Sequence, residues 1–184
     1  MKSAKDKSNN TSKRSPIFYL DGGAGRVLCS IPALEYYAMS NYNFHIITGY
    51  KREFFNHNTI LEKYTHHFDD PGLFDNIIKG GEIIKLEPYF RTEYYNQECS
   101  LTQAFDLEIN GDYCIGDRFP SLHFSKQENF DFEKNLNEIK ENNNAKDKPV
   151  LVFQPFGQAA QVFDDGIFDY TNRSFDMKNI LDLV

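Results

Sequence analysis

Apolar residues fall along this chain in short runs that switch between two spacings. Residues 17–20, "IFYL", form a compact apolar run and predict a buried strand of the kind a parallel sheet uses. A glycine-rich turn follows at 21–25. From Arg26, the apolar positions Val27, Leu28, Ile31, Leu34 and Tyr37 or Ala38 recur at three- and four-residue steps, which predicts a helix with Pro32 in its first turns. "FHIITGY" (44–50) predicts a second strand and "REFFNHNTILEKY" (52–64) a second helix. After a turn at Asp70-Pro71-Gly72, residues 82–86 predict a third strand. Most of 91–108 has helical spacing ended by Asn110-Gly111, 116–124 reads as extended, and 126–140 predicts a charged helix with Phe130, Leu136 and Ile139 on one side.

"KENNNAKDK" (140–148) is polar and precedes Pro149, the pattern of a linker or exposed loop. "PVLVFQPFG" (149–157) then predicts a fresh strand, 158–173 a loop, and Ser174 the N-cap of a last helix. Alternating strands and helices imply an α/β fold, Rossmann-like, with a mainly parallel sheet flanked by helices. The expected division is a disordered tail at 1–15, a Rossmann-like domain at 16–140, a linker at 141–148 and the start of a second α/β domain at 149–184.

Composition narrows the function. A net charge of −7 argues against a general nucleic-acid binder, because phosphate neutralisation needs a basic surface. Cys29, Cys99 and Cys114 are odd in number and irregularly spaced, so neither a disulfide framework nor a zinc pattern emerges. Reduced thiols and the lack of an apolar run near the roughly 20 residues needed to span a bilayer predict a cytoplasmic protein without a transmembrane segment. The cationic N-terminus leaves room for peripheral contact with an anionic membrane surface. Oligomeric state has no signature in the sequence.

The turn "DGGAG" invites comparison with phosphate loops. It lacks the lysine of a Walker loop, and the dinucleotide pattern matches at Gly23 and Gly25 but meets Leu28 where its third glycine belongs. What remains is general. Gly22, Gly23 and Gly25 permit close backbone approach, and a helix beginning beside them aims free N–H groups at the turn. That suits an anion or a sugar hydroxyl, or else a tight strand-to-helix turn with no ligand.

"YLDGGAGRVLCSIPALEYY" resembles the opening of the ADP-heptose:lipopolysaccharide heptosyltransferase-like glycosyltransferases of family 9, which begin with a strand, a short "GDVL" turn and a "PAL" helix. Gly25-Arg26-Val27-Leu28 and Pro32-Ala33-Leu34 fall on that pattern. "PVLVFQPFG" followed by Asn172-Arg173-Ser174-Phe175 resembles the opening of that family's second domain. The resemblance covers roughly residues 16–184 and implies a GT-B architecture, in which an N-terminal domain takes the acceptor and a C-terminal one the nucleotide-sugar. It implies transfer of a sugar to a glycan or lipid-linked hydroxyl, with no cofactor and no metal. It also implies that residues 149–184 are the first strand-helix unit of a truncated donor domain, so that the chain alone is inactive.

On this resemblance Gly22, Gly23 and Gly25 orient the acceptor, while Arg173 and Ser174 meet the donor phosphates. Arg26 stands at the family's acidic position and cannot accept a proton. Asp21, four residues earlier, is the candidate general base, with capping of the turn as its alternative role. In "PYFRTEYYNQE" (88–98), Arg91 lies among aromatic residues, which suits rings stacking on an acceptor sugar with Arg91 meeting its phosphate or carboxylate, or an ordinary helix packed on the sheet. His66 and His67 are adjacent and lack the i, i+4 spacing of a helical metal pair. The alternative to an enzyme is a non-catalytic α/β binding or structural module that keeps the fold.

Overall fold

The computed structural model describes residues 14–49, 52–150, 161–163 and 166–168. The chain divides into two compact units, Met1–Asn129 and Phe130–Val184.

The first unit is built on four parallel strands: β1 (Ser15–Leu20), β2 (His45–Thr48), β3 (Thr65–His67) and β4 (Gly81–Lys85). Their order is β3-β2-β1-β4, with Ile17 opposite both His45 and Ile83. The helices are α1 (Ala24–Ser40), α2 (Leu73–Asn76), α3 (Thr92–Tyr95), α4 (Leu101–Ile109) and α5 (Lys126–Asn142), the last beginning in this unit and ending in the second. The fold is α/β and Rossmann-like, with a parallel sheet flanked by helices.

Because strand residues alternate, β1 feeds two cores. Phe18 and Leu20 join Val27, Ile31 and Leu34 of α1 and Phe105 and Ile109 of α4 in the larger one. Ile17 points the other way and packs with Ile47 and Leu73, backed by Tyr19, Ile77 and Ile78. On the first face α1 is pressed between sheet and α4, so residues 31–34 are buried all round. Asn110 closes the joint by donating from Nδ2 to the Ala33 carbonyl at 3.0 Å.

Several local expectations change. Helix α1 starts at Ala24, so Pro32 lies in its interior and not in its first turns. Residues 52–64 do not form one helix: 3₁₀ turns at Arg52–Phe55 and Glu62–Tyr64 flank the buried Asn58. The Asn58 side-chain oxygen accepts from the backbone N–H groups of Ile60 and Leu61, an offer that competes with the helical ladder. His57 beside it takes a left-handed φ of 60°, which a helix does not accommodate. The predicted helix over 91–108 is two helices, interrupted by Gln97 at φ 61° and restarted by a capping box between Ser100 and Gln103. Residues 116–124, read as extended, form neither a helix nor a strand.

In the second unit, a hairpin of β5 (Gln161–Phe163) and β6 (Gly166–Phe168) appears where a loop was expected. The sequence there offers apolar pairs too short to announce strands. The strand predicted at 149–157 lies, apart from residues 149 and 150, outside the described residues, as does the helix from Ser174.

Candidate functional site

The strand order sets the geography. The chain lays down β1, β2 and β3 in one direction and then returns past β1 to place β4 on its other side. In open parallel sheets, ligands bind at this reversal, beyond the carboxyl ends of the two diverging strands. Here those ends are Asp21 with the glycine turn after β1, and Leu86 with Glu87 after β4.

Gly22 is in the left-handed region at φ 86°, and a side-chain carbon there would stand 3.1 Å from Arg26 Cδ. The left-handed backbone favours glycine there, and a side chain would also need the Arg26 stem to give by a few tenths of an ångström. Gly23 is extended and precedes α1, accepting from the N–H groups of Arg26 and Val27, while Gly25 is already helical.

The Arg26 side chain turns back across the reversal. Arg26 Nη2 donates to the Leu86 carbonyl and to Glu87 Oε2, the latter at 3.1 Å. Its Nη1 lies 3.1 Å from Asp21 Oδ1, an ion pair without the angle of a hydrogen bond. The guanidinium also sits over the ring of Tyr89, 5.4 Å from its centroid. Lys85 completes the cluster with contacts to Glu87 and, at 3.8 Å, to Asp21 Oδ2. Arg26 is only 11% exposed, against 33% for Asp21, so the cation is inside and the candidate base opens to solvent.

Two carboxylates at this end of the sheet are driven apart. The Lys85 hydrogen bond, with Arg26 beside it, holds Glu87 below the usual carboxylate range. Burial pushes Glu108 of α4 up, although its Oε2 accepts the Glu87 N–H at 2.8 Å. Opposite displacement of neighbouring carboxyl groups is a common arrangement in acid–base sites. Lys85, Glu87 and Glu108 were missed from sequence, because nothing in their spacing reveals which strand lies beside β1.

Arg91 caps α3 and pairs with Glu93 at 3.2 Å, and its buried Nε has no hydrogen-bond partner among the described residues. Arg173 and Ser174 lie outside the described residues. Among the described residues no three His, Cys, Asp or Glu side chains converge on a metal position, and no helix is long and apolar enough to cross a membrane.

The histidines lie on strand β3 and point to opposite faces. His66 Nε2 is 3.1 Å from His45 Nδ1, while His67 Nε2 is 3.2 Å from the Gly49 carbonyl. Burial lowers the pKa of both His45 and His66, and their mutual charge repulsion adds to this at His45. A histidine lowered on folding stabilises the fold fully above its unfolded value of about 6.5 and loses that contribution as pH falls toward the folded value. The thermal midpoint is expected to fall between pH 7.5 and 5.5, and to fall less in His45→Gln; equal slopes in the two proteins would exclude the pair as the cause.

The site is thus a cluster of charged side chains at the switch point of a Rossmann-like unit. Set against known proteins, the chain matches no family model, no curated protein and no solved structure.

Proposed function

We propose that the chain carries the acceptor-side part of a glycosyltransferase similar to family 9, acting in the cytoplasm on a glycan or on a lipid-linked acceptor at the membrane surface. The observation that carries this reading is the Asp21 carboxylate, partly open to solvent at the carboxyl end of the central strand and at the sheet's reversal. In the reaction, the acceptor hydroxyl oxygen bonds to the donor's anomeric carbon as its proton passes to Asp21. The bond from that carbon to the donor oxygen breaks, and the nucleoside diphosphate leaves with the electron pair. The donor would be held elsewhere, with Arg173 and Ser174 as its phosphate contacts.

A second reading is favoured by Arg26. Its guanidinium is committed to Leu86, Glu87 and Asp21, as in a module whose charged cluster is structural and does no chemistry. The two separate in one assay. The protein as its gene encodes it is incubated with a panel of nucleotide-sugars and sugar acceptors, beside Asp21→Asn. The transferase reading expects turnover and a loss of about 100-fold in Asp21→Asn, the lower end for removal of a general base. Turnover unaffected by the substitution would remove Asp21 from the chemistry, and no turnover with any donor would leave the binding module.

A further inference from the structure

Tyr89, whose ring carries Arg26 on one side, also forms a wall of an open cavity of about 360 Å³. The rest of the lining is Tyr94, Tyr95, Gln97 and Cys99. We propose that this cavity binds one ring of an uncharged sugar, the recognition element of the acceptor. The proposal rests on the transferase reading for its role but not for its chemistry.

The wall explains the choice of ligand. The Tyr89 and Tyr94 rings meet at 73° with centroids 5.6 Å apart, forming a corner of one face and one edge. A flat nucleobase is held best between parallel rings. A puckered pyranose fills a corner, laying its C–H face on one ring and leaving its hydroxyls at the rim. No lining side chain is an acid or a base of fixed charge, and burial pushes the Cys99 thiol up, which keeps it neutral. An ionic ligand would find no counter-charge on the wall.

Gln97 supplies the amide that such hydroxyls need. It holds a left-handed φ of 61°, with its N–H donating to the Tyr94 carbonyl at 3.0 Å. Glycine adopts that conformation without strain, so the amide side chain is carried at a backbone cost that glycine would avoid. The conformation closes α3, since the Glu98 N–H also reaches back to the Glu93 carbonyl at 2.8 Å, and this helix cap fixes where the Gln97 amide leaves the backbone.

The test is binding alone, with no donor and no turnover. The full chain is titrated with methyl glycosides of glucose, galactose, mannose and N-acetylglucosamine, with adenosine and uridine as base-bearing probes. The readouts are saturation-transfer NMR and the tyrosine fluorescence of a protein that has no tryptophan. At least one glycoside is expected to bind. Tyr94→Ala should weaken it about tenfold, the scale of one aromatic contact. Gln97→Gly should weaken it too while leaving the thermal midpoint unchanged or higher. A merely structural Gln97 would give the higher midpoint with unchanged binding, which overturns the proposal. Binding of a nucleoside in preference to every glycoside, or of no glycoside, overturns it as well. Because turnover is not measured, failure here leaves the Asp21 assay standing, and failure there leaves this one standing.

Discussion

Replacing Arg26 with alanine is expected to cost about 3 kcal/mol of folding stability, the low end for removing one partner of a buried ion pair, because its carboxylates are partly solvated. The side chain joins the turn after β1 to the end of β4 through the Leu86 carbonyl, Glu87 and Asp21, and packs its stem against Gly22. Without it, Asp21 and Glu87 keep only Lys85 as a shared cation, and the Leu86 carbonyl loses a donor. For a chain of this size that loss lowers the thermal midpoint by about 6–12 °C. Arg26→Met separates charge from packing, since it keeps an apolar stem. If the clasp is electrostatic, methionine recovers little. A midpoint within about 3 °C of wild type in Arg26→Ala would show that the clasp holds nothing.

Asp106→Ala is expected to cost a similar amount, about 3 kcal/mol, from the loss of two hydrogen bonds to a buried charged group. Asp106 is wholly buried in α4. Its Oδ1 accepts from Asn110 Nδ2 at 2.7 Å and its Oδ2 from the Ile115 backbone N–H at 2.8 Å. It therefore fastens the loop after α4 to the helix, and through Asn110 to α1. Alanine leaves the buried Ile115 N–H without an acceptor. Asp106→Asn keeps one acceptor oxygen but turns a donor toward one of those two N–H groups, so an intermediate loss is expected. Urea unfolding measures both variants, and a change below about 1 kcal/mol in Asp106→Ala would mean that water or a shifted loop replaces the carboxylate.

Both predictions concern residues whose importance the sequence conceals. Residues 17–20 of β1, the turn and most of α1 were legible because an apolar run, a glycine cluster and a helical stripe follow one another without interruption, whereas Ser15, expected in the tail, already belongs to the strand. Strands β2 and β4 were legible for the same reason. The failures have identifiable causes. Asn58 spends its side chain on the backbone and dissolves a helix whose apolar spacing looked adequate. Strand β3 has three residues, two of them histidine, and no alternation to read. The break at 96–100 did leave a mark, since Ser100 and Gln103 have the spacing of a capping box.

The candidate site was half legible. Asp21 and Arg26 stand in a recognisable turn, but their partners Lys85, Glu87 and Glu108 come from far along the chain. Strand order is what brings them together, and hydrophobic periodicity carries no information about order. Once β4 is known to lie beside β1, the residue after β4 becomes an obvious place to look.

That same order has a consequence for the newborn chain. Strand β1 is the first to be synthesised, yet it ends in the interior of the sheet, paired on one side with β2 and on the other with β4. Roughly 60 residues separate it from β4, and at translation rates of about 5–20 residues per second its second flank stays open for roughly 3–12 seconds. For that interval "IFYL" is an apolar ribbon with unpaired amides, the kind of edge to which other chains adhere. Until Leu86 and Glu87 arrive, Arg26 has only its own turn to hold.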